Sequence, residues 1–387
     1  LSSHQPQAIK NGNSPFEWIQ KGGHVMHILV IGNMGYVGPV VCRHLRNQFP
    51  DAHISGYDTA LFADHLTCEG PVPEIVLNEQ HFGDVRRFSP SVLNGVDAVI
   101  YLAAISNDPM GQKFGKVTDE VNRESCITIA RLSILAGVRH FAFASSCSVY
   151  GYASEKALTE NDATNPLTAY ARSKIEAEND LKKLATDKMF ISCLRFATAC
   201  GFSERLRLDL VLNDFVATAL RTKKIHVLSD GSPWRPLIDI RDMARIFEWA
   251  ITRSGEQFII VNAGCNDANY TVKNLADAVA SQIPGTTVDI NHDAPPDRRS
   301  YRVDFSYLSV LAAKFIPQLS LADSISSLID GITRCNHHQV STAPSRLTRL
   351  HTLSALIETG KVNSSLYWSE NSNPQCQSIS EKLSTVS

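Results

Sequence analysis

A short apolar run, His27-Ile-Leu-Val-Ile31, leads directly into Gly32-Asn33-Met34-Gly35-Tyr36-Val37-Gly38, and the glycines open an apolar helical pattern that continues to Leu45. A chain that leaves a buried strand through spaced glycines and enters a helix has few options. Glycine permits the tight turn, and the helix N-terminus that follows presents unpaired N–H groups to an anion. In this strand-to-helix setting, Gly32–Gly38 reads as the seat of a dinucleotide pyrophosphate; the spelling alone would fit a tight turn without a ligand equally well. Asp58 ends the second apolar run, His53-Ile-Ser-Gly-Tyr57, at the separation where a carboxylate bonds an adenosine ribose hydroxyl. Its charge would repel a ribose phosphate, so NAD is favoured over NADP, with turn capping in Asp58-Thr-Ala as the competing role.

Three further apolar runs, Ala98–Leu102, His140–Ala144 and Phe190–Leu194, alternate with helical patterns. Continuous apolar strands between helices predict an α/β fold: a doubly wound parallel sheet, Rossmann-like, over residues 26–202. Residues 203–334 are more irregular, with shorter helices such as Val272–Ile283 behind a Thr271 cap, and predict a smaller C-terminal substrate-binding domain with segments returning to the first. Residues 1–25 read as a polar N-terminal extension, and residues 335–387, rich in Ser, Thr and Asn, as a mostly disordered tail with a weak helical stretch near Leu347–Ile357.

A formal charge of −2 gives no support to a nucleic-acid partner. No apolar stretch reaches the length of a membrane span and residues 1–25 lack a signal peptide's apolar middle, so the expected location is the cytoplasm. The nine cysteines lack C-x-x-C spacing and read as reduced, mostly buried thiols. The thirteen histidines show no metal-ligand spacing, and no metal is expected.

The chemistry is carried by Tyr170-Ala-Arg-Ser-Lys174. A Tyr and a Lys four apart share one helix face about a turn from each other, so the ammonium lowers the phenol pKa and makes a phenolate general base available near neutral pH.

With Gly32–Gly38, Gly83-Asp84-Val85, Leu102-Ala103-Ala104, Ser145-Ser-Cys-Ser-Val-Tyr-Gly151, Tyr170–Lys174 and Arg235-Pro-Leu-Ile-Asp-Ile-Arg-Asp242 in this order, the stretch from Met26 to about Asp304 resembles the extended short-chain dehydrogenase/reductase family, in its NAD-dependent sugar epimerase/dehydratase branch. The resemblance implies NAD as cofactor, a nucleotide-sugar substrate and a homodimer formed through the helical runs near Val117–Ala136 and Ala171–Leu184. It implies that Asp84 and Val85 flank the adenine, that Leu102, Ala103 and Ala104 line the nucleotide groove, that Asn122, Ser145 and Phe196 stand beside the cofactor, and that Lys174 also bonds the nicotinamide ribose. By the same resemblance the Ser that bonds the reacting sugar oxygen would be Ser146, three residues before Val149, with Ser148 as rival and backbone-bonded loop serines as the bland alternative.

The same resemblance places Ser106, Asn107, Ser146 and Thr198 with the substrate. Arg235 would meet the nucleotide diphosphate, with Arg205 and Arg207 as further members of a cationic clamp or as surface residues. Asn213 would sit on the phosphates or cap its helix. The family's dehydratases hold Asp-Glu directly after the catalytic Ser or Thr; here these positions are Cys147 and Ser148, which disfavours elimination of water. The reading is therefore an NAD-dependent nucleotide-sugar epimerase like the UDP-glucose 4-epimerases, which removes and returns a hydride through a keto sugar. The alternatives are a nucleotide-sugar ketoreductase or dehydratase, and, further off, a non-catalytic NAD-binding regulator.

Overall fold

The computed structural model describes residues 24–67, 70–152, 156–294, 300–335 and 347–369. The N-terminal extension to residue 23 and the chain after 369 lie outside the described residues.

Seven strands form one parallel sheet: β1 (His27–Ile31), β2 (His53–Asp58), β3 (Glu79–Phe82), β4 (Ala98–Tyr101), β5 (His140–Ser146), β6 (Phe190–Phe196) and β7 (Phe258–Ala263), in the order β7-β6-β5-β4-β1-β2-β3. The strand order reverses between β1 and β4, which creates the crevice at the carboxyl ends of the strands where α/β folds bind ligands. β1, β4 and most of β5 and β6 are buried on both faces, which explains their unbroken apolar runs. Two strands escape the sequence reading. β3 is a half-exposed edge strand, Glu-Gln-His-Phe, with no apolar run, and β7 falls within the region expected to be irregular.

Helices α1 (Gly38–Gln48), α2 (Ser125–Ala136) and α3 (Ala169–Lys183) flank the sheet. A second region carries a three-stranded sheet of Thr198–Cys200, Trp234–Asp239 and Asn269–Thr271, a two-stranded pair of Lys224–Val227 with Thr287–Ile290, and helices α4 (Val211–Thr222), α5 (Val272–Gln282) and α6 (Leu321–Arg334). Thr271 caps α5 in a reciprocal capping box with Asn274.

Within the stretch expected to be a mostly disordered tail, the structure describes residue 335 and residues 347–369, and the weak helical pattern near Leu347–Ile357 is there a regular helix. Residues 349–358 form helix α7 (Arg349–Glu358). Leu353, Val362 and Leu366 close a separate apolar cluster with Leu61, Ile105, Met110, Phe114 and Val117 of the first domain. These apolar side chains bury enough surface to order a segment whose overall composition is polar. The cysteine reading also changes at one position: Cys42, Cys126, Cys147, Cys193, Cys200 and Cys265 are free thiols, whereas Cys335 is disulfide-bonded. Among the described residues, no helix is long and apolar enough to cross a membrane.

Candidate active site

A cavity of about 750 Å³ runs along the carboxyl ends of the strands and is lined by both domains. Its floor at one end is the glycine turn. Gly32 has φ +89°, and a Cβ there would lie 2.5 Å from Ala103 N; a Cβ on Gly38 would lie 2.1 Å from Asn33 O. Both positions therefore require glycine for close backbone packing. Helix α1 begins at this turn with no side-chain cap and no acidic residue in its first turn. The first N–H groups of an 11-residue helix are thus left for an anion at the cavity, which fits a dinucleotide pyrophosphate.

Asp58 projects from the end of β2. Its Oδ2 accepts the Met34 N–H at 2.9 Å and its Oδ1 accepts the Ala60 N–H at 2.8 Å, so the carboxylate braces the glycine turn while still lining the cavity. Burial pushes its pKa upward, and the two backbone donors hold it down. Asp84 also lines the cavity, but both its oxygens are engaged by Arg86, at 2.9 Å to Nε and 2.6 Å to Nη2.

At the other end of the cavity stand Ser146, Tyr170 and Lys174. Thr168 caps α3 by accepting the Ala171 N–H, which places Tyr170 in the first helical turn and Lys174 one turn further on the same face. Ser146, at the end of β5, and Tyr170 both line the cavity, and the Ser146 side chain acts to lower the phenol pKa. Lys174 is 2% exposed; one of its N–H groups donates to Ala144 O at 2.8 Å, and its Nζ lies 5.7 Å from the Tyr170 ring centroid.

The electrostatics differ from the simple expectation of a depressed phenol. Burial pushes Tyr170 up to about 12, opposed by the Ser146 side chain and the nearby Arg207 charge. Burial also pulls Lys174 down to about 8, opposed by Cys126 and Glu178. The dry site raises the energy of each charged form, and this outweighs the attraction between them.

Below this pair lies a buried network. Glu178, a further turn along α3, accepts from Arg195 Nη2 at 2.7 Å and from Ser145 Oγ. The Ser145 hydroxyl is thereby committed to the protein, although the residue lines the cavity. Cys147 is buried and its thiol donates to Arg195 O at 3.0 Å, with burial pushing its pKa up. Ser148 Oγ is buried at the cavity and has no partner among the described residues.

The structure brings Gly32, Gly35, Tyr36, Val37, Gly38, Asp58, Asp84, Val85, Leu102, Ala103, Ala104, Ser145, Ser146, Tyr170, Lys174 and Phe196 to one cavity, together with Ser106, Asn107, Thr198, Arg207 and Arg235. Five expected residues are not among its lining, Arg205 and four others. Asn33 turns its amide to Gln80 Oε1 at 2.7 Å, and Met34 contributes its backbone N–H to Asp58. Asn122 is fully buried and spends its amide on Ile105 N–H, Ile105 O and Ser173 Oγ. Asn213 is 0% exposed; its Nδ2 donates to Tyr36 Oη and Arg207 O, and its Oδ1 accepts from Gly201 N–H. An amide so satisfied holds loops together and has nothing to offer a phosphate.

The cationic clamp also changes. Arg205 pairs with Glu74 at 2.6 Å in the interior, outside the cavity lining. Arg207 reaches the cavity but meets Asp209 through two bonds of 2.9 Å and Ser106 Oγ at 2.9 Å. Asp209 neutralises it, and Asn107 Nδ2 donates to the same carboxylate at 2.6 Å. Arg235 donates to Trp234 O at 2.8 Å and lines the cavity. Sequence reasoning missed Asp209, Tyr301, Arg349 and Leu366 as lining residues. Asp209, two residues from Arg207, was open to discovery as its ion-pair partner; the others carry no local signal.

A family profile described as the NAD dependent epimerase/dehydratase family matches residues 28–264. Among curated proteins, a dTDP-glucose 4,6-dehydratase of Streptomyces griseus is 25% identical over 314 residues, covering 78% of this chain and 93% of its own. A putative UDP-glucose 4-epimerase of Methanocaldococcus jannaschii is 22% identical, covering 80% of this chain and 99% of its own. Among solved structures, UDP-glucuronic acid 4-epimerase of Bacillus cereus, in complex with UDP-glucuronic acid and NAD, shares the fold with a TM-score of 0.68 at 22% identity, over 80% of this chain and 99% of that one.

Proposed function

The chain belongs to the NAD-dependent epimerase/dehydratase family, with NAD as its cofactor, and from that premise we propose that it is a nucleotide-sugar epimerase acting through a keto-sugar intermediate, with inversion at C4 as the first reaction to test. The observation that carries this reading is the convergence of Ser146, Tyr170 and Lys174, the last two one helical turn apart, on the end of the cavity opposite the glycine turn.

Bound NAD supplies the hydride acceptor and a positive charge. The chain's own groups do the rest. As phenolate, which requires its proton to pass to solvent first under the positive charges of Lys174 and of bound NAD, the Tyr170 oxygen would take the proton of the sugar hydroxyl, and the Ser146 hydroxyl would donate to the sugar oxygen and hold it in register. Lys174 contributes a positive charge beneath the phenol, with Ala144 O fixing its position. Tyr170 would give the proton back when the ketone is reduced on its opposite face, so that the stereoisomer would form without net redox. Glycine and helix N–H groups seat the pyrophosphate, and Asp58 accepts from the adenosine ribose.

Cys147 and Ser148 favour epimerisation over dehydration. The Cys147 thiol is buried and bonded to a carbonyl, with its pKa pushed up, so it cannot protonate a leaving hydroxyl. A homodimer is part of the proposal, supported by Leu135, 83% exposed at the end of α2. A cytoplasmic location is also part of the proposal, with six free thiols among the described residues on its side and the disulfide-bonded Cys335 against it.

Mass spectrometry of nucleotides released on denaturing the purified protein tests the reading. Near-stoichiometric NAD(H) is the expected result. NADP(H) in its place would overturn the role of Asp58 and favour a reductase.

A further inference from the structure

The segment after helix α7 makes an unusual return to the first domain. Residues 361–369 form a self-braced loop: Asn363 N–H donates to Tyr367 O at 2.9 Å, and Ser369 N–H donates to Lys361 O at 2.9 Å. Within it Leu366 holds φ +59°, a left-handed conformation that a leucine adopts only under constraint. The constraint is visible. Its side chain is 1% exposed, packed into the apolar cluster, and lines the cavity of the candidate active site.

The loop is tied to both rims of one end of that cavity. On one side Trp368 Nε1 donates to Thr59 O at 2.6 Å, directly after Asp58. On the other, Arg86, held by Asp84, donates to Ser365 O at 2.8 Å and stacks 3.6 Å above the Tyr367 ring centroid. Asp58 and Asp84 stand at the ends of adjacent strands β2 and β3, across from the Ser146–Tyr170 end. The loop therefore bridges the outer edge of the adenosine half of the groove.

Resting on the NAD reading above, we propose that residues 361–369 are the outer wall of the adenine subsite, a strap that holds the dinucleotide in place and must lift for it to leave. Leu366 provides an apolar surface to the base, and the Trp368–Thr59 and Arg86–Tyr367 contacts latch the strap. Arg349 fixes its root: it donates to Arg205 O at 3.0 Å, just before the loop that carries Arg207 and Asp209, and its guanidinium carbon lies 4.5 Å from the Phe62 ring centroid. An epimerase must keep its reduced cofactor through each turnover, and a latched strap serves that need.

The full chain, loaded with NADH and chased with excess NAD, is followed by stopped-flow fluorescence, comparing wild type with Tyr367→Ala/Trp368→Ala. The expected result is release at least tenfold faster in the double variant, and slower amide exchange of residues 362–369 in wild type when NADH is present than when it is absent. Trp368 is 43% exposed, so its loss spares the core. Trp368→Phe, which keeps the ring and removes only the Nε1–H donor, should speed release two- to fivefold and covers the case of a double variant that does not fold. Release at the wild-type rate in the variants, or slower release, would overturn the strap while leaving the NAD site intact. A wild type that retains no NADH in the loading step would remove the NAD reading itself, and the strap with it.

Discussion

Lys174→Met should make the protein more stable at neutral pH and nearly inactive. Burial takes the ammonium from an ordinary 10.5 to about 8, a shift worth about 3 kcal/mol at about 1.4 kcal/mol per unit. Methionine matches the stem and carries no charge. Its cost is the bond from Nζ to Ala144 O, about 1–2 kcal/mol, which leaves a net gain of about 1–2 kcal/mol at pH 7. For a chain of 387 residues such a gain raises the midpoint of thermal unfolding by roughly 1–3 °C. The pH dependence is the sharper test. Because the folded pKa lies below the unfolded one, both states are charged below about 8 and the penalty is fully present there. Between about 8 and 10.5 the folded state releases its proton while the unfolded state keeps it, so the penalty fades as pH rises. Cys126 and Tyr170 titrate in the opposite sense but are common to both proteins and largely cancel in the difference. Denaturant unfolding of wild type and variant from pH 7 to 10.5 should show the variant's advantage closing across that range. A variant less stable at pH 7, or a difference flat with pH, would refute the picture of a strained buried ammonium.

Tyr170→Phe should lower kcat by roughly two to four orders of magnitude while NAD binding, followed by calorimetry, stays close to wild type; a variant keeping more than a tenth of wild-type turnover would remove the phenol from the mechanism. Asp58→Ala should narrow the preference for NAD over NADP and also destabilise the fold by about 1–3 kcal/mol, because the Met34 and Ala60 N–H groups lose their acceptor; wild type binding NADP more tightly than NAD would contradict the assignment. Glu178→Gln leaves Arg195 without its buried counter-charge and should cost about 3–5 kcal/mol in denaturant unfolding, whereas a cost below about 1 kcal/mol would show that water reaches the network.

The sheet and the helix that carries Tyr170 and Lys174 were legible because their signals are local. β1, β4, β5 and β6 are buried on both faces and spell it residue by residue, and Tyr170 and Lys174 need only a helix to meet. The edge strand β3, half exposed, carries no such pattern. Errors at the site arose where distant partners decide a side chain's role. Asn213 reads as a helix-opening amide until Tyr36, 177 positions away, claims it. Arg205 reads as a member of a cationic clamp or as a surface residue until Glu74, 131 positions away, pairs with it in the interior. The C-terminal segment was diluted by its polar neighbours: Leu353, Val362 and Leu366 are few, and their value lies in a cluster whose other members come from the first domain. The phenol pKa was misread for a related reason, since the spacing of Tyr170 and Lys174 shows their attraction and hides the burial that opposes it.

The central claim, reversible hydride removal from a sugar nucleotide with return to the opposite face, is tested most directly by incubating the NAD-loaded protein with UDP-, dTDP-, GDP- and CDP-hexoses and analysing the products by mass spectrometry and NMR. At least one substrate should interconvert with a stereoisomer of unchanged mass, inverted at C4, with no consumption of added NADH. Loss of one water from the sugar would contradict the account by showing that an acid other than Cys147 or Ser148 drives elimination. Stoichiometric oxidation of NADH by a keto sugar would replace the epimerase with a reductase.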